Sequence, residues 1–86
     1  MMAIFTVGAD NIIVNKMRDV AEAWGFAGKY EEPNRLLQDA KKKRFDMILV
    51  RDPEAIDDKV KKELAALNVE IINFNDKKRL EKLVKI

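Results

Sequence analysis

Short apolar runs alternate with amphipathic stretches along this 86-residue chain. Each apolar run is bounded by charged residues, glycine or proline, which is typical of strands that are covered on both faces. Between the runs, apolar residues recur at steps of three and four, the spacing that places side chains on one face of a helix. Strands that alternate with helices favour parallel pairing through right-handed crossovers, so the order βαβαβαβα predicts a parallel sheet.

The strand pattern occurs four times. We predict strands over residues 3–9, 26–31, 47–50 and 69–74, of which the second is the weakest and the third is the clearest. The residues expected to start helices are Asp10 or Asn11, Pro33, Asp57 with Asp58, and Asp76, and those expected to end them are Gly25 and Asn68. The predicted inward helix faces comprise Ile13, Met17, Val20, Ala21 and Trp24; Leu36, Leu37 and Ala40; Ile56, Val60, Leu64 and Leu67; and Leu80, Leu83 and Val84.

This pattern predicts one α/β domain over residues 1–86, with a small open parallel sheet of four strands in a flavodoxin-like three-layer α/β/α fold. By analogy with related folds we expect the strand order 2-1-3-4. Ligands of such sheets bind beyond the carboxyl ends of the strands, which here are followed by residues 8–11, 51–53 and 75–76. The first of these loops has a single glycine, Gly8, and lacks the glycine-rich patterns that hold nucleotide phosphates.

The composition excludes several kinds of catalysis. The chain has no histidine, no cysteine and no serine, and Thr6 is its one threonine. Histidine general bases, serine and cysteine nucleophiles, disulfides and Cys/His zinc sites are therefore absent. We expect a protein that acts by binding, not as an enzyme, and that needs no cofactor.

Localisation is predicted from what interrupts the apolar runs. Lysine or aspartate breaks each of them well before the ~20 residues that a membrane span needs. Residues 1–5 lack the basic start and long apolar stretch of a secretory signal. The expected location is therefore the cytoplasm, with no membrane partner.

Asp10 and Asp52 follow the first and third predicted strands, and their carboxylates would suit Mg²⁺. Residues 45–50 and these two aspartates resemble the receiver domains of response regulators, a resemblance that implies a phosphoacceptor directly after the third strand. Arg51 occupies that position, and Asp52 comes one residue later. The alternative is that Asp10 caps a helix and that Asp52 starts a turn before Pro53.

A longer resemblance lies in the middle of the chain. Residues 32–50 resemble the R-P-x-L-x-x-L-L-x-D-A-x-x-G-x-F-D-x-x-x-V segment of serine recombinase (resolvase/invertase) catalytic domains, and residues 62–72 are similar to the stretch that follows it. Laid on the family's Y-x-R-x-S strand, Phe5 takes the tyrosine position, Val7 the arginine and Ala9 the nucleophilic serine. The family's arginines after the third strand have no counterpart in residues 52–57. The resemblance implies a non-catalytic resolvase-like domain.

A weaker resemblance is to a small central-stalk component of V-type and archaeal ATPases. That component shares the strand–helix order and has a G-D-x-D loop, which residues 8–10 resemble in part. Residues 25–28 are similar to part of its G-F-R-L-A-G motif. The resemblance implies a small domain of a larger assembly.

Basic charge is concentrated in the second half of the chain. Residues 1–40 contain four basic and six acidic side chains, whereas residues 41–86, which include Lys85, contain thirteen and nine. The densest basic cluster, Lys41, Lys42, Lys43 and Arg44, is a candidate contact for nucleic acid or for a protein partner. The alternative is that these cations only offset the dipole of the preceding helix.

Aromatic residues and strand edges complete the predictions. Phe5, Trp24, Phe45 and Phe74 are expected in the core. The second or the fourth strand, at the edges of the sheet, could pair with a second chain. A protein partner or a homodimer is therefore our first expectation, and a nucleic acid is the second.

Overall fold

The computed structural model describes residues 1–84, so Lys85 and the side chain of Val84 lie outside the described part of the chain. Within it, strands and helices alternate as predicted. The elements are β1 Met2–Phe5, α1 Asn11–Glu22, β2 Phe26–Tyr30, α2 Pro33–Lys41, β3 Met47–Val50, α3 Asp58–Ala66, β4 Glu70–Asn73 and α4 Lys77–Val84, with a 3₁₀ turn at Pro53–Ala55 before α3.

The four strands form one parallel sheet in the order β2-β1-β3-β4, which confirms the predicted order. The step from β1 to β2 runs in one direction across the sheet, and the later steps run in the other. Right-handed crossovers in opposite directions place their helices on opposite faces. Accordingly α1 packs on one face together with α4, and α2 and α3 pack on the other. The fold is the expected three-layer α/β/α arrangement.

The core consists of two clusters separated by the sheet. In β1, Ala3 and Phe5 face α2 and α3, whereas Met2 and Ile4 face α1 and α4, and all four are fully buried. Burial on both faces explains why this strand reads as a continuous apolar run. Its predicted extent, residues 3–9, was too long. The chain turns after Phe5, where the amide of Ala9 bonds to the carbonyl oxygen of Thr6 and Gly8 has a φ of +82°.

Strand β2 is irregular, which accounts for its weak pattern. Met2 pairs with Phe26 but Ala3 pairs with Gly28, so Ala27 forms a bulge. Gly28 has a φ of +153°, and a Cβ at this position would lie 3.3 Å from Cε1 of Tyr30. The absence of a side chain at Gly28 therefore lets the Tyr30 ring fold back along its own strand.

Helix termini agree with the caps that the sequence indicated. The Asp10 carboxylate accepts a hydrogen bond from the amide of Ile13, and Asp76 accepts one from the amide of Arg79. Asn68 has a φ of +62°, the left-handed conformation predicted for it. The third helix starts later than its apolar pattern suggested, because a 3₁₀ turn precedes it, although Ile56 is still buried.

The core prediction was wrong for two side chains. Trp24 is 43% exposed and Leu67 is 41% exposed, although both continue the inward stripe of a helix. Helices α1 and α3 end before these residues, so the helical spacing no longer sets their direction. Phe5 and Phe45 are buried as expected, and Phe74 is partly buried beside the cluster under α1 and α4.

Candidate functional site: the two ends of the sheet

The loops at the carboxyl ends of β1 and β3 lie against each other, at the point where the strand order reverses. A Cβ on Gly8 would lie 3.1 Å from Cβ of Asp52 and 3.9 Å from Cγ of Arg51. The close approach of these loops requires a residue without a side chain at position 8, and the φ of +82° there also favours glycine. This is the edge that the fold predicts for ligands.

Both candidate metal ligands at this edge act as caps. Asp10 Oδ1 accepts from the amide of Ile13 at 2.9 Å, and Asp52 Oδ1 accepts from the amide of Glu54 at 3.1 Å. Over residues 1–84, no group of three or more acidic side chains is arranged to hold a metal ion. The capping and turn roles are confirmed, and a Mg²⁺ or phosphoacceptor role for these aspartates stays a prediction.

Arg51 occupies the receiver-type phosphoacceptor position and is engaged within the protein. Its guanidinium donates to Oδ1 of Asn75, and Nδ2 of Asn75 donates back to the carbonyl oxygen of Arg51 at 3.2 Å. The amide of Asn75 in turn donates to Oδ1 of Asn73 at 2.8 Å. These bonds tie the loop after β3 to the loop after β4.

The amino end of the sheet carries most of the exposed apolar surface. Four large hydrophobic side chains are exposed among the residues that the structure describes: Met1 at 55%, Trp24 at 43%, Leu67 at 41% and Ile12 at 68%. Ile12 lies in the first turn of α1, at the carboxyl end of the sheet. The other three follow α1, follow α3 or precede β1, so they lie at the opposite end.

Contacts across the amino end bring Met1 close to both neighbours. The position of a Cβ on Gly25, the residue after Trp24, would be 3.3 Å from Cγ of Met1. The amino group of Met1 lies 3.1 Å from Oδ1 of Asp46. Met1 and Leu67 also line one depression of about 580 Å³. Its lining residues are Met1, Ala40, Lys43, Arg44, Phe45, Asp46, Leu67, Asn68 and Val69.

The predicted basic cluster borders this depression. Lys41, Lys42, Lys43 and Arg44 are all exposed, and the last two line the depression. Lys43 has a φ of +60°, a left-handed turn at the end of α2 that the sequence did not indicate because lysine seldom adopts it. Nε of Arg44 lies 4.0 Å from Oδ1 of Asp39. The three lysines have no ion pair among the described residues.

A buried contact holds the end of α2 against β2. The Tyr30 hydroxyl donates to Oδ2 of Asp39 at 2.5 Å, and the Tyr30 ring packs on Phe45 with centroids 5.6 Å apart. Burial, and then the hydrogen bond to Asp39, raise the pKa of Tyr30 to about 12. Asp39 therefore contacts Tyr30 on β2 as well as Arg44, and the basic cluster leaves α2 from an anchored position.

Comparison of the chain with protein-family models, curated proteins and solved structures finds no significant match. The recombinase, receiver and ATPase resemblances therefore remain predictions from their motifs. Within the described residues, no helix is long and apolar enough to cross a membrane.

Sequence reasoning identified the basic cluster but missed the apolar residues beside it. Trp24 and Leu67 each extend a helical stripe, which is why the spacing predicts them in the core. Their signal was their place at or beside the residues predicted to end those helices, Gly25 and Asn68. A large apolar residue one position before a helix-ending glycine or asparagine projects beyond the end of the sheet in this fold.

Proposed function

We propose that this protein is a non-catalytic, resolvase-like association domain that binds a protein partner through the amino end of its sheet. The proposed binding region, called here the amino-end surface, consists of Met1, Trp24 and Leu67 with the basic residues 41–44. The observation that supports it is the gathering of three of the four exposed large hydrophobic side chains at one end of the described molecule.

The chemistry of this surface fits a protein interface. Interface cores are enriched in tryptophan, methionine and arginine and are surrounded by a polar rim. Here tryptophan, methionine and leucine are exposed beside a rim of three lysines and one arginine. Contiguous exposed apolar surface is unfavourable in water unless a partner covers it.

The positions that resemble the recombinase strand fit a binding role without catalysis. Phe5 is fully buried in the sheet, so an aromatic group there serves packing. Ala9 stands where the family places its nucleophile, and an alanine methyl group cannot attack a phosphodiester. The proposal therefore assigns the chain the fold of a resolvase-like domain and none of its strand cleavage.

Pairing through the sheet edges, the other route of association, is less favoured. Edge strand β2 is bulged and exposes Lys29. Edge strand β4 has only four residues, and its exposed Glu70 forms an ion pair with Arg79. Bulges, short length and charged side chains are features that protect edges against pairing.

A site-specific photo-cross-linker tests the proposal. The photoreactive residue replaces Leu67 in the full chain, and a control chain carries it at Gln38, an exposed position in the middle of α2. We expect a protease-sensitive adduct at position 67 in cells of the source, and none at position 38. Charge reversal of Lys42 to glutamate in the same chain is expected to weaken the adduct, because it places a negative charge on the basic rim.

Two other outcomes would contradict the proposal. Equal adducts at positions 67 and 38, or none at 67, would show that the amino-end surface is not a specific interface. A nuclease-sensitive adduct would instead favour the second candidate function, nucleic-acid binding. The observation that favours this candidate is the exposure of all four basic residues of the cluster.

A further inference from the structure

We propose that the partner of the amino-end surface is a second copy of this chain, bound through the opposite, carboxyl end of its sheet. This inference rests on the proposed function and adds the identity of the partner. It is carried by the distribution of charge between the two ends and by the place of the fourth exposed hydrophobic residue, Ile12.

The carboxyl end of the sheet is strongly acidic. The segments that lead from each strand to the next helix are residues 6–10, 31–32, 51–57 and 74–76. They contain seven carboxylates and one cation, Arg51, for a net charge of −6. The acidic residues are Asp10, Glu31, Glu32, Asp52, Glu54, Asp57 and Asp76.

The amino end has the opposite charge. The segments that lead from each helix to the next strand, residues 23–25, 42–46 and 67–69, contain three cations and one carboxylate, for a net charge of +2. Lys41, the last residue of α2, adds a further positive charge beside them. Surfaces of opposite charge attract one another and direct the orientation in which two molecules meet.

Each end also has an apolar component that suits the other. Ile12 is 68% exposed at the acidic end and projects from the first turn of α1, two residues after Asp10. The amino end has the depression of about 580 Å³ lined by Met1, Phe45 and Leu67. A single projecting isoleucine beside carboxylates fits an apolar depression with a basic rim, and burying it adds a favourable contribution to the charge attraction.

Because the two surfaces differ and lie at opposite ends, the contact is heterologous. A heterologous contact leaves one free surface of each kind on every dimer, so further copies add end to end unless the rotation closes a ring. The average sedimenting mass is therefore expected to rise continuously with concentration. It is expected to fall with added salt, since the Debye length shortens from about 10 Å at 0.1 M to about 3 Å at 1 M.

Two variants that each block one end test the inference in the full chain. Leu67→Glu places a negative charge on the amino-end surface, and Ile12→Lys places a positive charge on the acidic end. Each variant alone is expected to sediment as a monomer at concentrations where the unaltered chain associates. An equimolar mixture is expected to form a species of twice the chain mass and no larger, because each variant keeps the surface that the other has lost.

Both altered side chains are exposed, and thermal melting and circular dichroism establish that the variants are folded. Lys42→Glu, which should also block the amino end, is a second variant in case Leu67→Glu fails to fold. Association that survives Ile12→Lys, or a mixture that stays monomeric, would overturn the head-to-tail contact. If the unaltered chain is monomeric while position 67 cross-links to a different protein, this inference fails and the proposed function stands. If position 67 gives no adduct, both fail.

Discussion

Replacing Gly28 with alanine is expected to destabilise the protein through two separable effects. The backbone at Gly28 has a φ of +153°, which residues with a Cβ rarely adopt. The added Cβ would lie 3.3 Å from Cε1 and 3.5 Å from the hydroxyl oxygen of Tyr30. A residue held in a sparsely populated backbone conformation costs about 1–3 kcal/mol. The crowding adds to this cost, because the Tyr30 ring has to move away from Asp39 and Phe45.

Urea denaturation of Gly28→Ala measures the sum of the two effects. We expect the free energy of unfolding to fall by about 2 kcal/mol, which is large for a domain of this size. In a thermal melt of a 60–100-residue domain, each kcal/mol corresponds to about 4–8 °C. Lys29→Ala, at the exposed neighbouring position of β2, is the matched control and is expected to change stability by less than about 0.5 kcal/mol.

A double-mutant cycle with Tyr30→Ala separates backbone strain from crowding. Without the ring, the Cβ at position 28 no longer meets Cε1, so the remaining cost of Gly28→Ala is the backbone term alone. The cost of the substitution should therefore be smaller in the Tyr30→Ala background. A Gly28→Ala variant as stable as the unaltered chain would refute this account of β2. An equal cost in both backgrounds would refute the crowding part of it.

The contacts of Tyr30 and Asp10 lead to two further predictions. The folded-state pKa of Tyr30, about 12, lies above the ordinary tyrosine value of 10.0, so the protonated phenol stabilises the fold below pH 10 and this contribution is lost as the pH rises through about 12. Tyr30→Phe should remove that part of the alkaline loss of stability, as urea titrations at several pH values would show; an unchanged pH dependence would contradict the assignment. Asp10→Ala is expected to cost about 1 kcal/mol by removing the cap of α1, and Asp10→Asn, which keeps a capping oxygen, is expected to cost less. Thermal melts of both variants with and without Mg²⁺ compare the cap with the metal hypothesis, since a Mg²⁺-dependent rise in melting temperature that Asp10→Asn abolishes would favour a metal site.

The fold could be predicted because its information is local and repeated. The alternation of apolar runs and helical stripes specifies the type of each element, and the handedness of crossovers then limits the topology. The caps at Asp10, Asn68 and Asp76 could be read from single residues, since short polar side chains satisfy free backbone groups at helix ends. The bulge in β2 could not, because it depends on where the Tyr30 ring packs.

The ends of the elements were the least predictable feature. The first strand stops at Phe5 although the apolar run continues to Val7 and Ala9. The first helix stops at Glu22, before Trp24. At such positions the spacing of apolar residues is compatible with continuation, and the choice depends on tertiary contacts such as the bond from Nε1 of Trp24 to the carbonyl oxygen of Leu83, 2.9 Å long.

By itself the sequence determined the parallel α/β architecture, the lack of serine, cysteine and histidine chemistry, and the presence of a basic cluster at residues 41–44. Only the tertiary structure decided that Met1, Trp24 and Leu67 meet beside that cluster. The physical reason is the parallel sheet. All of its strands start at one end and the helices between them finish there, so residues far apart in the chain gather at that end when each lies just before a strand or just after a helix.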